Sequence, residues 1–108
     1  MDNEQVMKNM KFIMCGDDLR RVNTETDEDG KLQIEFDMHG LSRKEAKRQL
    51  KNIIAINPSA FTINAIHGFN HGTVLKEMIH DDELSTRVTD KQCLDYNPGR
   101  TMIIIAER

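Results

Sequence analysis

The amino-acid sequence predicts a two-layer α/β domain: a β-α-β-α-β-β mixed sheet, with an N-terminal helix and a possible extra strand. Three observations predict it. Residues 32–36 and 61–66 read as strands, and each is followed by a segment with apolar residues at helical spacing. Each strand passes into its helix through a His-Gly pair, His39-Gly40 and His67-Gly68. A last Ile-rich run, residues 101–106, follows the turn-forming Asn97-Pro98-Gly99. Strands alternating with helices imply a largely parallel sheet joined by right-handed crossovers, with the last two strands as an antiparallel hairpin.

Residues 4–14 place Val6, Met7, Met10, Ile13 and Met14 on one helical face, with the methionines as adaptable core filler. Gly16 and Asp17-Asp18 end that helix. Residues 18–36 suggest a hairpin about Asp27-Glu28-Asp29-Gly30, though the acidic stretch also reads as a flexible linker. Leu32, Ile34 and Phe36 alternate with Gln33 and Glu35, the pattern of a strand with one buried face. Ser42 and Glu45 make a capping box, in which each side chain satisfies a free amide at the start of the next helix. Ala46, Leu50, Ile53 and Ile54 form its apolar face, and Asn57-Pro58 stops it. Phe61, Ile63, Ala65 and Ile66 form the second strand, and Val74, Leu75, Met78 and Ile79 the face of the second helix, which Asp81-Asp82 ends. Residues 85–94 are consistent with a third strand, and the run 101–106 reads as one buried on both faces.

Composition narrows the function classes. With 38% apolar residues, 5% aromatic and no Trp among 108, the core must come from Ile, Leu, Val and Met. The net charge of −3 is uneven: residues 1–30 hold four Lys/Arg against eight Asp/Glu, and residues 31–108 hold eleven against ten. We therefore divide the chain into an N-terminal extension, 1–30, and a domain, 31–108. A nearly neutral domain lacks the broad basic footprint of a duplex-DNA binder. Cys15 and Cys93 have neither disulfide-scaffold nor zinc-site spacing and read as free thiols. No apolar run approaches the ~20 residues of a membrane span, and the first residues lack the basic start of a signal peptide. The expectation is a cytoplasmic protein without a membrane partner. A phosphate-binding P-loop, a zincin helix and an esterase elbow are all absent from the sequence.

The candidate chemistry lies in the two turns. In open α/β sheets ligands bind outside the carboxyl ends of the strands, where Asp37-Met38-His39-Gly40 and residues 67–72 would both lie. Glycines let backbone approach a ligand closely, and free amides at a helix start attract phosphate. Gly68, Asn70, His71, Gly72 and Thr73 are thus the candidate phosphate-binding residues. His39 and His67 are candidate acid and base, because imidazole titrates near neutrality. Asp37, two residues from His39 on a strand, would be its neighbour and orienting group. Arg43, Lys44, Lys47, Arg48 and Lys51 form the basic face of the helix that Ser42 begins, either solvated or in contact with nucleic acid. No permanent metal site is evident; a divalent ion such as Mg²⁺ stays open as a cofactor.

These residues carry a family resemblance. Phe36-Asp37-Met38-His39-Gly40-Leu41-Ser42, with Glu45-Ala46 beyond, resembles the first motif of the small MutS-related domain, L-D-L-H-G-L. Ile66-His67-Gly68-Phe69-Asn70-His71-Gly72, with Leu75 beyond, resembles its second, I-H-G-x-G-x-G-x-L, and the likeness spans residues 32–107. Asn70 stands where that motif has its middle glycine, and His71 where a small residue is usual. The resemblance implies a fold similar to the C-terminal domain of a bacterial translation initiation factor, and a role on nucleic acid. It implies a small endonuclease that cleaves RNA or nicks DNA, with RNA, single-stranded or nicked DNA or the ribosome as partner. The alternative is a module that binds nucleic acid or the ribosome without cleaving.

Overall fold

The computed structural model describes residues 3–14, 16–68, 72–94 and 97–108. In chain order they form helix α1 (Asn3–Ile13), a 3-10 turn (Leu19–Arg21), strands β1 (Val22–Thr26) and β2 (Leu32–Asp37), helix α2 (Arg43–Ile56), strand β3 (Phe61–Ile66), helix α3 (Gly72–Asp81), and strands β4 (Val88–Leu94) and β5 (Asn97–Ile105). The strands make one sheet in the order β1-β2-β3-β5-β4. Among the described helices none is long and apolar enough to cross a membrane.

The acidic segment is the turn of a real hairpin. The Asp27 carboxylate accepts the amides of Asp29 and Lys31, both at 2.9 Å, and Gly30 takes the left-handed conformation the turn requires, φ +77°. β1 then pairs antiparallel with β2, from Val22 opposite Phe36 to Thr26 opposite Leu32. The α1 helix sits on α2 and β1, and α2 on α3, so the helices form one layer. Val6 and Met10 are fully buried beneath α1. Asn9 Nδ2 donates to Asn57 Oδ1 at 3.2 Å, tying α1 to the end of α2. The described residues of the first 30 therefore share the sheet and core of the rest.

Only β2 and β3 pair in parallel; the other three pairings are antiparallel. This corrects the expectation of a largely parallel sheet. β2, β3 and β4 do run the same way, but the crossover through α3 carries β4 two places from β3. The final hairpin then returns β5 into the gap. Two further corrections come from that hairpin. Asn97, Pro98 and Gly99 belong to β5 rather than to a turn, since Asn97 already pairs with Leu94. And β5 is covered on one face only: Thr101, Ile103 and Ile105 are buried, while Met102, Ile104 and Ala106 between them are half-buried. With the described helices in one layer, none of them packs on the other face of the sheet.

Alternation sets which face each strand residue joins. Along β2, Leu32, Ile34 and Phe36 are buried; along β3, Phe61, Ile63 and Ala65 are. Phe36, fully buried, is a central core residue, and its truncation to Ala would cost about 3–5 kcal/mol. Ser42 caps α2 by accepting the Glu45 amide at 3.1 Å, the expected half of the capping box. The Glu45 carboxylate turns instead to Arg48 and Gln49.

Candidate functional site

Beyond β2, Met38 donates its amide to the Ile66 carbonyl at 2.9 Å, and its side chain continues the buried series. His39 then falls on the opposite side, with Asp37. Its Nδ1 lies 2.5 Å from Asp37 Oδ1, and its backbone amide donates to the same oxygen at 3.2 Å. The His39 side chain is 66% exposed. A carboxylate that accepts Nδ1–H fixes the tautomer and leaves the unprotonated nitrogen at Nε2. Arg21, from the 3-10 turn, donates Nη1 to the carbonyls of Asp37 (3.1 Å) and His39 (2.9 Å), which clamps the segment. Gly40 follows at φ +82°.

Beyond β3 the outcome is different. His67 and Gly68 both donate their amides to the Gly99 carbonyl, at 2.9 and 3.2 Å. His67 continues the buried series of β3 and is only 2% exposed. Its Nδ1 lies 3.2 Å from the Gly68 carbonyl, which can only accept, so Nδ1 carries the proton. Nε2 is then the acceptor for the Thr101 hydroxyl, 3.0 Å away and itself fully buried. Burial pushes the His67 pKa below its ordinary value; the Gly68 carbonyl opposes the shift, and the charges of Lys76 and His80 add to it. The imidazole is thus held neutral, with both nitrogens engaged.

The two turns touch. Gly68 has φ +82°, and a Cβ built on it would stand 3.5 Å from the His39 Cβ. The structure therefore brings Asp37, His39 and Gly68 together at one end of the sheet, with His67 and Thr101 in the core. Gly72 opens α3 and Thr73 follows in its first turn. Asn70 and His71 lie outside the described residues. Because the Gly68 amide is committed to Gly99, this glycine contributes close approach rather than a donor.

The basic face is largely paired within the chain. Arg43 and Lys47 bind Asp82 at 2.8 and 3.3 Å, and Arg48 pairs with Glu45. The hydrogen bonds from Arg48 and Gln49 lower the Glu45 pKa to about 2. Burial pushes the Asp82 carboxyl up, but the hydrogen bonds from Lys47 and Arg43 outweigh it and leave it below its ordinary value. Lys44 and Lys51 are exposed. Among the described residues, no three His, Cys, Asp or Glu side chains gather as a metal site.

Two residues of the site were not singled out by sequence reasoning. Arg21 precedes a strand whose own pattern is weak, and nothing local marks it. Thr101 had one signal, a single hydroxyl at the head of an otherwise apolar run. Comparison with protein-family models, with curated proteins and with solved structures finds no match to this chain.

Proposed function

We propose that this chain acts on a phosphodiester of single-stranded nucleic acid, RNA first, as a small cytoplasmic endonuclease similar to the small MutS-related family. One observation carries the reading: an exposed histidine, oriented by a carboxylate at 2.5 Å, stands beside a left-handed glycine four residues before a helix. In this reading a phosphate sits against the first-turn amides of α3, drawn by their partial positive charge. Nε2 of His39 takes the proton of the attacking hydroxyl as that oxygen bonds to phosphorus. The proton then returns to the departing 5′ oxygen as its bond breaks. Asp37 holds the imidazole in place throughout. His67 does not exchange protons here; with Thr101 it fixes the backbone that carries Gly68.

A reading without cleavage uses the same phosphate seat. It is favoured by the engagement of both His67 nitrogens, which leaves one exposed histidine where two were expected. The pairing of Arg43, Lys47 and Arg48 limits how many phosphates either reading engages.

The test is cleavage of labelled mixed-sequence RNA by the wild type and by His39→Ala prepared in parallel, with Mg²⁺ and with EDTA. Loss of about 10²-fold or more in the variant is expected for an acid–base group, and activity in EDTA assigns the chemistry to the side chains alone. Equal cleavage by both proteins sinks the nuclease reading; binding of the same RNA without cleavage supports the second.

A further inference from the structure

On the far side of α3 lies a second pair of reactive groups, apart from the His39 site. Cys93 is an exposed free thiol on β4. Its Sγ lies 3.3 Å from Nε2 of His80, in the last turn of α3. Cys93 and Lys91 share a strand face, and both side chains reach the end of α3. Lys91 itself donates Nζ to the Asp82 carbonyl at 3.1 Å, which ties β4 to the end of α3.

We propose that Cys93 and His80 form a thiol–imidazole pair that exchanges with low-molecular-weight disulfides, making Cys93 a site of reversible S-thiolation. Thiolate, not thiol, is the nucleophile in such exchange, so a base within hydrogen-bond reach sets the rate. With Nε2 3.3 Å from the sulfur, the geometry puts His80 in that role. Partial burial lowers its pKa, and the charges of Lys76 and Lys91 lower it further, against the opposing charge of Asp81. His67, from the end of β3, also lies within electrostatic range. The imidazole is therefore neutral at neutral pH, with Nε2 able to accept the Sγ proton.

Cys93 Sγ–H passes its proton to His80 as sulfur attacks one atom of the incoming disulfide. A new S–S bond forms, the old one breaks, and the leaving thiolate takes the proton from His80 and departs as a thiol. The disulfide is the oxidant and is reduced by one thiol equivalent. Cys93 pairs across the strands with Thr101, so the adduct forms one strand away from the residue that holds His67.

The experiment follows one thiol. In a Cys15→Ser background, the rate of reaction with the aromatic disulfide dithiobis-nitrobenzoate is measured on the folded protein and on the same protein in denaturant. The folded protein should react about tenfold faster or more. His80→Gln, which keeps a polar side chain but no basic nitrogen, should remove most of that advantage while circular dichroism stays unchanged. Glutathione disulfide should then add one glutathionyl mass to Cys93, and dithiothreitol should remove it. A folded protein that reacts no faster than the unfolded one overturns the proposal, whatever the variant does. So does a folded His80→Gln protein reacting within about twofold of its parent.

Discussion

The segments Asp37-Met38-His39-Gly40 and Ala65-Ile66-His67-Gly68 look alike: each ends a strand in a His-Gly pair after an apolar residue. The structure gives them opposite characters. His39 is 66% exposed beside a carboxylate, and His67 is 2% exposed against a threonine hydroxyl. Strand parity makes the difference. In β2 the even-numbered residues enter the core, Leu32 through Met38, so His39 is expelled; in β3 the odd-numbered ones do, Phe61 through Ala65, so His67 is drawn in. The same dipeptide becomes an exposed side chain or a structural tie according to which face the preceding alternation has already assigned.

Stability measurements test this contrast. The largest effect belongs to His67→Ala, which removes a buried ring and strands the Thr101 hydroxyl; urea unfolding should show a loss of about 2–4 kcal/mol. Thr101→Val keeps the shape but leaves Nε2 without its donor, for about 1–3 kcal/mol. Gly68→Ala places a Cβ on a left-handed backbone and should cost about 1–2 kcal/mol, with room for the methyl itself. A pH series then separates the histidines further. The lowered pKa of buried His67 means the unfolded chain binds the extra proton, so stability is full above about 6.5 and falls as the pH drops below it. His80 adds in the same direction. Thermal melts from pH 8 to 5 should show that fall, and His67→Gln should reduce it. The smallest effect is His39→Ala, within about 0.5 kcal/mol, as for an exposed side chain. A large loss there would mean the Asp37 contact is structural.

The basic face provides a further contrast, between sequence pattern and net field. Five cations in nine residues suggest many phosphate contacts, yet Asp82 and Glu45 already pair with three of them. RNA affinity should therefore fall shallowly with salt, with a log–log slope of about −1 to −2 rather than the −3 or steeper of five engaged cations.

Much of the fold was legible in the sequence because its signals are local. The apolar spacing of α1 and α2, the Ser42 cap and the alternation in β2 each name their element. The order of the sheet was less so. That β5 inserts between β3 and β4 depends on pairing across the chain, and the apolar residues of β5 gave no sign that one of its faces lacks a cover. In the site, the Asp37–His39 contact followed from residues two apart on a strand. The burial of His67 was also encoded, in the Phe61-Ile63-Ala65 alternation, but Ile66 obscured the parity by placing an apolar residue on the other face. Arg21 could not be read at all: it reaches the site only because the β1–β2 hairpin folds back beside it.

In the function proposed above, His39 does the chemistry while His67 and Thr101 hold the frame. It is tested most directly by measuring RNA cleavage per folded molecule for His39→Gln and Thr101→Val side by side, each with its unfolding curve. The account predicts a loss of about 10²-fold or more with unchanged stability for His39→Gln. For Thr101→Val it predicts lower stability by about 1–3 kcal/mol with cleavage largely kept. Cleavage that survives in His39→Gln, or that is lost equally in Thr101→Val, would contradict it.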